Sequence, residues 1–130
     1  MDKKDQQILA LLSQNSRRSW KTIGDKVYLS GQAVGSRVEQ LLDANIIEKF
    51  TIQIRHTNLQ FITIYMNSNQ FSLFEKRVCN YQEVLTMDKI TGDGCYFIKA
   101  CFEPDKLEQF ITTISAHARY KISHRLNKIK

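Results

Sequence analysis

The apolar positions of this chain change their spacing once. From Asp2 to about Asn45 they recur every three or four residues, which is the period of an amphipathic helix. From Ile46 onward they mostly alternate with polar residues, as in half-buried strands. We therefore expect an α+β protein with a helical N-terminal part and a sheet-containing C-terminal part.

Three short helices are predicted in the first part, each beginning after a side chain that can cap it. The capping candidates are Asp2 or Asp5, Ser19, and Ser30. The predicted inward faces are Ile8, Leu11 and Leu12; Trp20, Ile23 and Val27; and Val34, Val38 and Leu41. Residues 27–29 separate the second helix from the third, a turn length that is typical of a helix-turn-helix.

The second part begins with a connecting strand that alternates at Phe50, Ile52 and Ile54, and then predicts the order β, α, β, β, α, β. A turn at residues 92–94 closes the central hairpin, because glycine adopts a positive φ at little cost. This order is that of ferredoxin-like domains, whose helices cover one sheet face. The other face carries Phe97 or Tyr96, depending on register, so we expect a second copy to cover it.

Composition and charge narrow the function without deciding it. Nineteen Lys and Arg against thirteen Asp and Glu give a net charge of +6, which attracts polyanions. No apolar run approaches the roughly 20 residues that span a bilayer, so no membrane partner and a cytoplasmic location are expected. The three cysteines and three histidines show no metal-binding spacing, so neither a metal nor a cofactor is expected. No nucleophile triad or phosphate-binding glycine motif is present, which indicates a protein that is not an enzyme.

The outward side of the third helix carries the side chains that suit DNA bases. Glutamine pairs with adenine, arginine with guanine, and alanine contacts the thymine methyl group. The residues expected there are Gln32, Ala33, Ser36, Arg37 and Gln40. Three basic residues at the start of the second helix, Arg17, Arg18 and Lys21, are candidates for phosphate contacts. By periodicity alone, a plain helical bundle with a solvated polar face fits equally well.

The order of residues distinguishes these two interpretations, because it resembles the Lrp/AsnC family of feast/famine transcription regulators nearly end to end. The N-terminal resemblance is carried by Asp5, Ile8, Leu12, Asn15, Arg17, Gly24, Leu29, Ser30, Val34, Arg37, Val38 and Leu41. The C-terminal resemblance is carried by Glu83, Val84, Leu85, Ile90, Thr91, Gly92, Asp93 and Tyr96.

The resemblance implies a winged or extended helix-turn-helix domain joined by a strand to a ferredoxin-like domain that dimerises and often forms tetramers or octamers. It also implies double-stranded DNA as partner and, in many members, an amino-acid effector. By position, Ser30, Gln32, Ala33, Ser36 and Arg37 would face DNA. The effector loop would be Gly92, Asp93, Gly94 and Cys95, with Cys95 where many members have an aspartate that can hold an α-ammonium group.

We accordingly divide the chain into a DNA-binding domain at residues 1–48, a connecting strand at residues 49–60, and an effector and oligomerisation domain at residues 61–130. Two other classes of function stay open at this point. The chain could be a relative of the haem-precursor decarboxylases that share this family's fold, or a metabolite-binding or assembly protein that does not bind DNA.

Overall fold

The computed structural model describes all 130 residues, which form two compact units, Met1–Gln53 and Ile54–Lys130. The first unit contains helices α1 (Lys3–Gln14), α2 (Trp20–Val27) and α3 (Gly31–Asp43). The second contains β1 (Gln60–Met66), α4 (Phe71–Cys79), β2 (Val84–Lys89), β3 (Tyr96–Ala100), α5 (Pro104–Ile114) and β4 (Ala118–His124). None of the helices is long and apolar enough to cross a membrane.

The caps of the first unit form as the sequence predicts. Asp2 caps α1, where its carboxylate accepts the backbone N–H of Asp5 at 2.9 Å. The Oγ atoms of Ser19 and Ser30 accept backbone N–H groups in the first turns of α2 and α3. These bonds satisfy N–H groups that have no partner inside a helix. They explain why the helices begin at Lys3, Trp20 and Gly31.

The core of the first unit is the three predicted apolar faces packed together. Its buried residues are Ile8, Leu12, Ile23, Val27, Val34 and Val38. Trp20 differs from the prediction, because 38% of its surface stays exposed although it was expected to face inward. The unit contains no strand, so its helix-turn-helix is present without the strands of a wing.

The second unit has the ferredoxin-like order βαββαβ, and its four-stranded sheet has the spatial order β2-β3-β1-β4 with antiparallel neighbours. Helices α4 and α5 supply Phe74, Val78, Phe110 and Ile114 to the core against one face of this sheet. The predicted fold class is therefore confirmed. Alternate residues of β1 and β3 point to the opposite face, because successive side chains of a strand alternate.

The register of β3 decides which aromatic residue lies on the uncovered face. Tyr96 is buried among the helices, and Phe97 lies on the other side. Its ring stacks on Phe61 of β1, with centroids 6.2 Å apart. Two half-buried phenylalanines thus lie side by side on a sheet face that no helix of this chain covers.

The expected connecting strand is not formed in the single chain. Residues 50–55 have no regular secondary structure, and no strand of the sheet pairs with them. Ile52 is 77% exposed and Ile54 is 64% exposed. The alternation was correctly detected, but a strand also needs hydrogen-bonding partners for its backbone, and this chain provides none at these residues.

Candidate DNA-binding and effector sites

The turn between α2 and α3 is held by a very close backbone contact. The Leu29 N–H donates to the Gly24 carbonyl at 3.0 Å, and Tyr28 adopts the left-handed conformation with φ 61°. A Cβ atom on Gly24 would lie 2.3 Å from the Leu29 carbonyl oxygen, which is far inside van der Waals contact. Only glycine fits there, so the angle between the two helices depends on this residue.

Helix α3 buries one side and leaves the other open. Val34, Val38 and Leu41 are buried in the first unit. Among the predicted base contacts, Gln32, Ser36 and Gln40 are exposed, Ala33 is half-buried, and Ser30 is exposed at the helix N-terminus, where its Oγ accepts the Ala33 N–H at 3.1 Å. An exposed polar stripe on a rigidly packed helix is the arrangement that base readout in a groove requires.

The structure corrects the expectation that Arg37 points outward. Its Nη1 lies 2.6 Å from an oxygen of Asp2 and 3.1 Å from an oxygen of Asp5, and the side chain is 29% exposed. The guanidinium therefore joins α3 to the N-terminus of α1. Hydrogen bonding to Arg37 lowers the pKa of Asp2, and the same contacts raise the pKa of Arg37. The attraction to two carboxylates explains why the guanidinium turns away from the outward side.

Of the three residues predicted to contact phosphates, two are exposed near the N-terminus of α2 and one is turned away. Lys21 and Arg17 are exposed near the N-terminus of α2. Arg18 instead extends toward the C-terminus of α1, where it is 3.4 Å from both the Leu11 carbonyl oxygen and Gln14 Oε1. Both contacts lie at the C-terminal end of α1, where a positive charge is favourable, so Arg18 is already partly engaged within the chain.

The predicted effector loop is a tight turn held against β1. Gly92 and Gly94 have φ 93° and 103°, a region that favours glycine. A Cβ on Gly94 would lie 2.6 Å from Thr63 Cγ2. The Cys95 N–H donates to the Ile64 carbonyl at 2.7 Å, which attaches the end of the loop to the strand.

A cavity of about 660 Å³ lies next to this loop, although none of the four predicted loop residues lines it. Its lining residues are Tyr65, Asn67, Ser115, Ala118, Arg119, Tyr120 and Lys121. The Asp93 carboxylate accepts the Tyr65 hydroxyl at 2.8 Å and lies 3.6 Å from Lys121 Nζ. Asp93 therefore orients two lining residues of the cavity. Sequence spacing indicates the loop but not the cavity, which is assembled by β1, β4 and the residues that follow β1 and α5.

Comparison with known proteins decides which kind of protein carries these sites. The AsnC-type helix-turn-helix domain matches residues 1–42, and the Lrp/AsnC ligand binding domain matches residues 59–130. The chain belongs to the Lrp/AsnC family. The HTH-type transcriptional regulator LrpA of Bacillus subtilis is similar along its whole length, with 34% identity covering 98% of this chain and 99% of LrpA.

Solved Lrp/AsnC structures share the fold described above. The structure of Bacillus subtilis LrpC is similar with a TM-score of 0.89 and 23% identity, covering 100% of this chain and 97% of that one. A complex of the regulator NMB0573 from Neisseria meningitidis with L-Met has a TM-score of 0.85 and 25% identity, covering 100% and 92% of the two chains. This Lrp/AsnC protein is a DNA-binding transcriptional regulator, and the decarboxylase and DNA-free alternatives are not favoured.

We expect Arg37→Ala to make the unfolding of this Lrp/AsnC protein less sensitive to acid. Because the folded protein lowers the pKa of Asp2 below its ordinary value of 3.8, the stabilisation is present above that value and is lost as the pH falls through the folded-state pKa. Thermal unfolding between about pH 6 and pH 2 compares the two proteins. Arg17→Ala is the matched control, since Arg17 contacts no carboxylate. Parallel curves for the native protein and Arg37→Ala would show that the ion pair has no such effect.

Proposed function

We propose that residues 1–48 bind double-stranded DNA with α3 in the major groove, while residues 61–130 dimerise and bind a small-molecule effector. Residues 49–60 connect these two domains. The observation that carries the proposal is the exposed polar stripe of Gln32, Ser36 and Gln40, on a helix whose opposite side is buried. The proposal involves no catalytic step, cofactor, metal or membrane, and places the protein in the cytoplasm with the DNA.

Contacts to the two parts of DNA are assigned to different residues. Gln32, Ser36 and Gln40 read base edges, because amide and hydroxyl groups form hydrogen bonds with them. Arg17 and Lys21 bind phosphates near the N-terminus of α2. The positive end of this helix favours negative charge at the same place. Arg37 positions α3 through Asp2 and Asp5 rather than reading a base. Ser30 and Ala33 shape the N-terminal end of the reading helix.

Dimerisation is proposed through the uncovered sheet face. The stacked pair Phe61 and Phe97 presents an apolar surface on the uncovered sheet face. Exposure of this surface to water is unfavourable, and packing against a second copy would bury it. The exposed alternation at Phe50, Ile52 and Ile54 also fits a strand that pairs with another copy. A two-fold dimer would present two α3 helices to half-sites about 34 Å or a multiple apart. Tetramers or octamers would arise from further contacts between such dimers.

The effector is proposed to be an amino acid or a related acid that binds beside the Gly92–Cys95 loop. Arg119 and Lys121 line the adjacent cavity and suit a carboxylate. Asp93, which orients Tyr65 and Lys121, is the nearby acidic group in the loop, since Cys95 is a neutral thiol. The L-Met complex of NMB0573 supports the choice of an amino acid as the first ligand class to test.

We expect the double variant Gln32→Ala, Ser36→Ala to lose sequence-specific DNA binding. Removing two base contacts should weaken binding to selected duplexes by about tenfold or more while leaving non-specific binding unchanged. Duplexes enriched from a random pool by the native protein are the ligands, and gel-shift titration at one salt concentration is the measurement. Gln7→Ala, Ser13→Ala is the matched control, because it removes the same exposed residue types from α1. Failure to enrich any duplex would contradict the proposed function.

The variant Phe97→Glu is expected to be monomeric, because two carboxylates would be buried in the interface without partners. Light scattering after size-exclusion chromatography measures the mass, and circular dichroism confirms that the variant is folded. Leu126→Glu serves as control, since Leu126 is fully exposed outside the sheet. A monomeric native protein, or an unchanged mass for Phe97→Glu, would exclude this interface.

We expect Arg119→Ala to bind an effector of the cavity about tenfold more weakly than the native protein does, because the substitution removes a charge-assisted hydrogen bond. The measurement is the shift in unfolding temperature with each of the common amino acids, followed by DNA titration with any that bind. Arg125→Ala is the matched control: Arg125 lies 5.7 Å from the Phe61 ring, as Arg119 does from the Tyr65 ring, but does not line the cavity. Equal affinity in both variants would place the ligand elsewhere.

A further inference from the structure

The indole of Trp20 lies across the recognition helix instead of inside the core. Trp20 is the first residue of α2, yet the atoms nearest to the missing side chain of Gly35 in α3 belong to its ring. A Cβ on Gly35 would lie 3.1 Å from Cδ1 and 3.2 Å from Nε1 of Trp20. The absence of a side chain at residue 35 therefore lets the N–H edge of the indole lie directly on α3.

The surroundings of the indole connect it with the proposed reading surface. A groove of about 540 Å³ is lined by Trp20, Phe50, and the α3 residues Gln32, Gly35, Ser36, Val38, Glu39 and Leu42. Two of these, Gln32 and Ser36, are the residues proposed to read bases. The groove is thus a lateral extension of the exposed side of α3. Its N-terminal end is close to Lys21, whose backbone nitrogen would lie 3.2 Å from a Cβ on Gly31.

The position of Trp20 in the helix-turn-helix indicates which part of DNA it meets. When the second helix of such a motif enters the major groove, the first helix crosses the sugar-phosphate backbone. A residue at the start of α2 that leans onto α3 then lies between the backbone and the bases. The indole is 38% exposed, and its flat apolar ring suits the deoxyribose of the backbone. Glu39 would repel phosphate at the other end of the groove, so the contact is placed at the N-terminal end.

We propose that Trp20 is a DNA-contacting residue whose indole ring packs on a deoxyribose of the DNA backbone. This inference rests on the proposed DNA binding by α3. Gly35 is a positioning residue for this contact, because a Cβ there would force the indole to shift by a few tenths of an ångström. The contact adds affinity without selecting a sequence, since phosphates and sugars are common to all sites.

The first test uses the fact that Trp20 is the only tryptophan of the chain. Its fluorescence should change in intensity or emission maximum when the native protein is titrated with a selected duplex. The double variant Gln32→Ala, Ser36→Ala should need about ten times more duplex for the same change, as its affinity for a selected site is lower. Emission that stays constant while binding is seen by gel shift would overturn the proposal.

The second test is a double-mutant cycle on affinity. Trp20→Ala should weaken binding to selected and unrelated duplexes alike by about tenfold, with an unchanged salt slope because no charge is removed. Trp20→Phe keeps a smaller ring, so its affinity should lie between that of the native protein and that of Trp20→Ala. Gly35→Ala should weaken binding in the native protein and have no further effect when Trp20 is already alanine. Additive effects of the two substitutions would overturn the role assigned to Gly35 and the indole.

The outcomes separate this inference from the proposed function. If the native protein binds no duplex, both fail. If it binds duplexes in a manner that depends on Gln32 and Ser36 while Trp20→Phe and Trp20→Ala keep the native affinity, only the Trp20 contact is excluded. Thermal unfolding of each variant shows whether the folded helix-turn-helix is present during the titration.

Discussion

The close contact between Gly24 and the Leu29 carbonyl oxygen is the constraint on which the proposed DNA-binding side of α3 depends. A Cβ atom would approach that oxygen to 2.3 Å, so α2 and the following turn can meet this closely only at a glycine. The turn uses a left-handed Tyr28 and then Ser30 as the cap of α3. Once this geometry is set, burial of Val34 and Val38 leaves Gln32 and Ser36 on the outer side. Exposure of the reading surface is therefore a consequence of a backbone contact.

A glycine has the same role in the second unit, at the proposed effector loop. Gly94 lies against β1, where a Cβ would clash with Thr63, and the Cys95 N–H is tied to the Ile64 carbonyl. This contact holds Asp93 where it can bond to Tyr65 and Lys121. In both units, a glycine at a close approach thus orients polar side chains that lie next to it.

Some of the basic side chains of the first unit have a structural role. Arg37 bonds to two carboxylates of α1, Arg18 extends to the C-terminus of α1, and Lys4 donates to the Val27 carbonyl at the end of α2. Not every one of the nineteen Lys and Arg residues is therefore free to contact DNA. Composition predicts attraction to polyanions, but only the folded positions show that Arg17 and Lys21 remain exposed beside the reading helix.

Local features of the chain were predictable because they depend on neighbours in sequence. Helix periods, the caps at Asp2, Ser19 and Ser30, and the hairpin turn with its two glycines all form as expected. The order of elements then leads to the ferredoxin-like sheet, and the resemblance of the residues to a family leads to the function. None of these features depends on which residues distant in sequence come into contact.

Features that depend on distant contacts became visible only in the folded molecule. The outward orientation expected for Arg37 was wrong because its partners, Asp2 and Asp5 at the N-terminus of α1, lie more than 30 residues away. Trp20 was expected in the core because periodicity places it on the inward side, yet the space at Gly35 offers the ring another position. The strand at residues 50–55 was expected from alternation, but this chain provides no neighbouring strand. Sequence spacing shows which side of an element a residue occupies, whereas its partner depends on how the elements pack.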